Sequence, residues 1–212
     1  MKPDTFIVKR LLNEETDERY KYLLKHGLIH YIESQTQSLY VELPQIPNII
    51  IVYRWPAEWL RNPDVFNLNS RYLTHIPLLE GEESIKELIL WNNKITKIEN
   101  LVSLPQLQTL DLSNNKLTDI SNFVNIKTID NLWNLDLSNN QIERILSLEG
   151  LKNLEFVNLA ENKIQKIENL QSLQKLKILN LKNNLISVLE NLNDMSLTDI
   201  DLTNNRIHRI DS

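Results

Sequence analysis

From Ile85 onward, leucine and isoleucine recur at a spacing that neither a lone helix nor a lone strand explains. The unit is L-x-x-L-x-L-x-x-N-x-I-x-x-I-x-x-L-x-x-L-x-x. Its first copy places Ile85, Leu88, Leu90, Asn93, Ile95, Ile98, Leu101 and Leu104. Its second places Leu107, Leu110, Leu112, Asn115, Leu117, Ile120, Phe123 and Ile126. Further copies start at Leu132, Leu154, Leu176 and Leu197, so successive starts lie 22, 25, 22, 22 and 21 residues apart. The asparagine position is filled in every copy, by Asn93, Asn115, Asn140, Asn162, Asn184 and Asn205. A period of this length predicts a solenoid.

Each position has a physical role. Apolar residues at positions one, four and six point inward while positions three and five point outward, the two-residue alternation of a short strand. One strand per coil cannot bury its own face, so coils stack at about 4.8 Å and pair as a parallel sheet. Where the chain turns away from the sheet, the asparagine amide donates to and accepts from backbone groups that would otherwise be buried unpaired. The apolar residues that follow are three apart, which suits a tight 3₁₀-like return. The three extra residues between Asn115 and Leu132 fall on the return, around 123–130, and should bulge that side while leaving the sheet in register.

Upstream the template fades. Pro63, Phe66, Leu68, Leu73, Ile76 and Leu79 fit it, but Arg71 takes the asparagine position, and a guanidinium cannot accept a hydrogen bond. That coil must close its turn differently. One step further back Ile46, Ile49, Ile51 and Trp59 fit, with Arg54 in the asparagine position, so 46–62 is expected as a second degenerate repeat. Residues 1–45 do not repeat. Asn13 or Thr16 caps an expected helix running to Lys25, with Glu14, Glu15, Asp17 and Glu18 at its positive end and Gly27 at its stop. Segments 28–33 and 39–43 have the character of two short strands, possible partners in a hairpin. The expected division is an N-terminal capping segment at 1–45, degenerate repeats at 46–84 and six full repeats at 85–212.

The repeats over 85–212 resemble the leucine-rich repeat family. Ile98-Glu99-Asn100-Leu101, Ile167-Glu168-Asn169-Leu170 and Leu189-Glu190-Asn191-Leu192 are similar to the 22-residue subclass typified by a regulatory subunit of protein phosphatase 1. Leu117-Thr118-Asp119-Ile120-Ser121-Asn122 is similar to the repeats of bacterial internalins. The resemblance implies an α/β right-handed solenoid. A parallel sheet lines its concave binding face, short 3₁₀ or irregular returns form the convex face, and a small α+β cap precedes the coils. The last copy stops at Ile207-His208-Arg209-Ile210-Asp211-Ser212, without the capping motif common in this subclass, so its open end either continues in a longer chain or pairs with another.

Composition narrows the function. The chain has 212 residues, 42% of them hydrophobic and 24% charged, which suits a folded domain with a sizeable core. With no cysteine it offers no disulfide, no thiolate and no cysteine-ligated zinc. Lys+Arg 23 against Asp+Glu 28 leaves −5, the wrong balance for gripping nucleic-acid phosphates. The first ten residues lack the apolar run of a signal peptide, and the longest apolar stretch, 49–53, is far short of the ~20 residues of a membrane span. A cytoplasmic protein with neither a nucleic-acid nor a membrane partner is expected. His26 and His30 are spaced like a metal pair, but Gly27 weakens a helix between them and Leu28 and Ile29 supply no general base. Ser113, Ser138 and Thr203 have no histidine beside them. The three glycines, 27, 81 and 150, form no phosphate loop. Neither an enzyme nor a cofactor is expected.

What remains is a surface. Most outward positions of the strands are small and polar, but Ile89, Trp91, Phe156 and Ile178 are large and apolar. Large apolar groups facing solvent mark interaction sites, and aromatics are enriched among interface hot spots. The expectation is a non-catalytic adaptor that binds a protein or peptide on its concave face. Ile89, Trp91 and Phe156 would be anchors, Asp111 and Asp136 polar selectors, and Asn158 and Ile178 neighbours in the site. The resemblance alone adds an alternative, regulation of an enzyme such as a phosphatase, or bacterial effector or immunity work.

Overall fold

The computed structural model describes residues 5–10, 38–42, 49–54, 61–77, 79, 82–125, 129–193 and 195–211. Seven three-residue strands form one sheet: β4 (Val65–Asn67), β5 (Glu87–Ile89), β6 (Thr109–Asp111), β7 (Asn134–Asp136), β8 (Phe156–Asn158), β9 (Ile178–Asn180) and β11 (Asp199–Asp201). They stack in chain order, all parallel. The middle residues align as one column: Phe66, Leu88, Leu110, Leu135, Val157, Leu179 and Ile200. The first six of these are fully buried, and the columns at positions one and six, such as Leu107, Leu132, Leu112 and Leu137, are buried with them. At roughly 1.5–3 kcal/mol for each buried side chain of this kind, these columns are the main stabilising term.

The asparagines form a ladder. Asn115 Nδ2 donates to the carbonyls of Leu112 (3.0 Å) and Ser113 (3.1 Å) in its own coil and of Leu90 (3.0 Å) in the coil before. Its Oδ1 accepts the Ile95 amide of that earlier coil at 3.0 Å. Asn140, Asn162 and Asn184 repeat the pattern. The coil with Arg71 is closed by the same reach from its successor with one bond added: Asn93 Oδ1 accepts the Leu73 amide (3.0 Å) and also that of Arg71 (2.9 Å), and its Nδ2 donates to the Leu68 carbonyl at 2.9 Å. Residues 63–84 therefore supply a rung despite the guanidinium.

A second ladder runs along the returns. Asn100, Asn169 and Asn191 donate to Ile76, Ile145 and Ile167 of the preceding coil at 2.7, 2.6 and 2.7 Å. Among the described residues the 3₁₀ segments are Leu101–Ser103 and Ser121–Asn125, while the last two returns pair as a small parallel sheet, β10 (Val188–Leu189) with β12 (Arg209–Ile210). The other returns are turns, so the 3₁₀ character expected from the spacing holds only in part. The longer second return leaves the register untouched, Leu110 still facing Leu135. Ile129 is buried there and bonds through its carbonyl to Leu132, as Leu104 does to Leu107. Ile129 thus fills the last core position of this coil, three residues before Leu132; Ile126, expected there, lies outside the described residues.

At the N-terminus β1 (Thr5–Arg10) pairs parallel with β3 (Ile49–Arg54), and β2 (Ser38–Glu42) pairs antiparallel with β3. This corrects the expectation of a rung within 46–62. Ile49 and Ile51 lie in a six-residue strand of a separate three-stranded sheet, because Ile49-Ile50-Ile51-Val52 is a continuous β-branched run suited to pairing; Ile46 and Trp59 lie outside the described residues. The expected strand at 39–43 exists but pairs with β3. The expected helix to Lys25 and the strand at 28–33 lie outside the described residues.

Candidate functional site

The outward residues of the sheet form rows that cross the coils. One row begins each strand: Val65, Glu87, Thr109, Asn134, Phe156, Ile178 and Asp199. A second ends each strand: Asn67, Ile89, Asp111, Asp136, Asn158, Asn180 and Asp201.

Local chemistry explains most of the second row. Asp111 Oδ1 accepts the Ser113 amide at 2.9 Å and its hydroxyl at 2.6 Å, and Asp136 does the same for Ser138 at 2.8 and 2.6 Å. Asn67, Asn158, Asn180 and Asp201 accept the amide two residues on, at 3.0, 3.1, 3.1 and 2.9 Å. These are Asx turns that close the strand. The turn needs one carbonyl oxygen, which Asn supplies as well as Asp, so the fold does not require the negative charge at Asp111, Asp136 or Asp201. Asn158 Nδ2 also donates to Asp136 Oδ2 at 2.9 Å, tying neighbouring coils. Hydrogen bonds from Thr203, with Lys182 nearby, hold the Asp201 carboxyl below the usual aspartate range.

The apolar residues split into two groups. Phe156 and Ile178 are direct neighbours in the first row, and Trp133 joins them from the position before β7. With Asn134, Glu155 and Lys177 they line a hollow of about 240 Å³. Trp133 is 44% and Ile178 39% exposed, Phe156 is half-buried, and the Lys177–Glu155 ion pair closes one side at 2.6 Å. Trp91, 38% exposed, stands three coils away, roughly 14 Å along the stack, with Ile89 in its own coil. Phe156 and Trp91 therefore do not form one anchor; Asp111 and Asp136 lie between them. Sequence reasoning passed over Trp133. Its signal was present, because the equivalent position elsewhere holds Asp64, Lys86, Gln108, Glu155, Lys177 and Thr198, all polar.

Among the described residues, the hydroxyls and imidazoles that the sequence offered as candidate chemistry make local bonds. The Ser113 and Ser138 hydroxyls are spent on Asx turns, His75 bonds Thr74, and His208 faces the Arg206 carbonyl. Among the described residues no three His, Cys, Asp or Glu side chains stand together to hold a metal ion, and no helix is long and apolar enough to cross a membrane.

Parallel rungs, buried leucine columns and the asparagine ladder define a solenoid of leucine-rich repeats. Residues 83–125 and 130–172 each match the family model for leucine-rich repeats in two copies. The fold is similar to the crystal structure of an internalin (inlF) from Listeria monocytogenes, 24% identical, covering 66% of this chain and 46% of that one, with a TM-score of 0.52. It is similar also to the leucine-rich repeat domain of APL1B, at 22% identity, 72% and 47% coverage and a TM-score of 0.60. Internalin C2 (inlC2) of Listeria monocytogenes matches at 25% identity, 68% and 73% coverage and a TM-score of 0.53. The chain spans less than half the length of the first two. No curated protein sequence matches it. Leucine-rich repeat domains in general mediate protein–protein interaction.

Proposed function

We propose that this protein is a non-catalytic adaptor that holds a protein or peptide segment on the concave face of its sheet. One observation carries the reading: Trp133, Phe156 and Ile178 meet across three adjacent coils on a face where the scaffold needs only small polar groups. Leaving such groups in water costs hydrophobic free energy that a partner would recover. The stacked coils fix the side chains before binding, which lowers the ordering cost of association. Ile89 and Trp91 form a second apolar station, with Asp111, Asp136 and Asn158 as polar selectors between the two.

The test is affinity capture followed by mass spectrometry with three baits: the wild-type chain, Trp133→Ala/Phe156→Ala, and Arg144→Ala, a residue off the sheet whose guanidinium pairs with Glu168 of the next coil at 2.9 Å. A partner retained by the wild type and by Arg144→Ala but lost by the double variant is the expected result. Identical recovery by all three baits refutes the assignment of this face.

A further inference from the structure

The hollow between Trp133, Phe156 and Ile178 lies in an acidic field that the scaffold does not need. At the first and last residue of each of the seven strands and the residue two beyond the last, the carboxylates are Glu87, Asp111, Asp136, Asp199 and Asp201 against the amine of Lys182, while in the row of Trp133 the amines of Lys86 and Lys177 offset Asp64 and Glu155. Asp199 sits directly beside Ile178, and Asp136 lies one coil behind Phe156 and at the other end of its strand. Cation and apolar group are thus asked for side by side. Neighbouring coils close the same turn with Asn67, Asn158 and Asn180, which shows that charge on the second row is separable from folding. Glu155, by contrast, is neutralised by Lys177 at 2.6 Å and adds little.

We infer that the occupant of this hollow is a basic peptide segment, an aliphatic or aromatic side chain seated against Trp133, Phe156 and Ile178 with Lys or Arg close to it on either side. The inference rests on the adaptor reading and adds the chemistry of the partner. The spacing follows from the lattice of the sheet. Asp199 is about 5 Å from Ile178 across one coil, and Asp136 about 8 Å from Phe156 across one coil and two residues. An extended peptide advances about 3.3 Å per residue, so its cations fall one to three residues from the apolar anchor. The acidic row also speeds encounter with a basic segment, and the complex weakens as salt screens it.

The experiment selects displayed random 12-residue peptides on the full 212-residue chain and measures the enriched sequences by fluorescence anisotropy. The expected peptides carry one large apolar residue with Lys or Arg within three positions. Phe156→Ala should weaken them about 30-fold or more. Asp136→Asn/Asp199→Asn should weaken them about 5- to 10-fold and flatten the salt dependence, while circular dichroism shows the fold unchanged. Neutral or acidic peptides that still depend on Phe156 would overturn this inference and leave the adaptor reading standing. Peptides indifferent to both Phe156→Ala and Trp91→Ala, or no enrichment at all, would overturn both.

Discussion

One asparagine in each of the six full repeats satisfies carbonyls of two coils and an amide that burial would strand. Asn140 is bonded to Leu112, Leu137, Ser138 and the Leu117 amide, all at 3.0–3.1 Å. Asn140→Ala leaves these groups unpaired and should cost about 2–4 kcal/mol in urea denaturation. The residue before each ladder asparagine has a positive φ, Asn92 57°, Asn114 57°, Asn139 52°, Glu161 55°, Asn183 55° and Asn204 58°, and so has Ser70 before Arg71, at 53°. The left-handed region crowds Cβ against the carbonyl, and asparagine tolerates it better than most residues. The recurrent Asn-Asn doublet is therefore two demands in succession, a backbone one and a hydrogen-bonding one. Glu161 breaks the doublet. Glu161→Asn should raise stability by about 0.5–1 kcal/mol in thermal unfolding, with no change in the sheet. Asn100, Asn169 and Asn191 meet both demands in one residue, with φ of 61°, 63° and 59° and a bond to the coil before.

Strands were legible because alternation, spacing and the asparagine all point to the same three residues per coil. Leu88, Leu110, Leu135 and Leu179 each sit mid-strand where the pattern puts them. Returns were less legible, since a spacing of three is compatible with 3₁₀ helix, plain turns or the β10–β12 pairing, and neighbouring coils choose among them. The second return shows how. The Ile120 carbonyl is taken by the Phe123 amide at 3.2 Å, and the next coil holds Ser147 where others hold asparagine. The N-terminal sheet was misjudged at Ile49–Arg54 because isoleucines two apart satisfy any strand, repeat or not. Within the site, Phe156 and Ile178 were found by their outward position, whereas their union with Trp133 depends on which coils are adjacent at a position the template treats as polar.

Along the whole stack, burial fades toward β11. Ile200 occupies the same column as Leu135 yet is 38% exposed, and Leu197 and Leu202 are only partly buried. In a solenoid each coil is stabilised by its neighbours on either side, so the same chemical change has a position-dependent cost. Leu137→Ala should cost about 2–5 kcal/mol, and Ile200→Ala about 1 kcal/mol or less, in equilibrium unfolding by circular dichroism. Equal losses would mean that burial in the stack does not set stability. Direction matters as well as position. Every ladder asparagine reaches back, completing the turn of the coil that precedes it. A chain emerging from the ribosome in sequence order therefore always trails one unfinished turn, latched only when the following asparagine arrives, so that the scaffold closes behind itself like a zip.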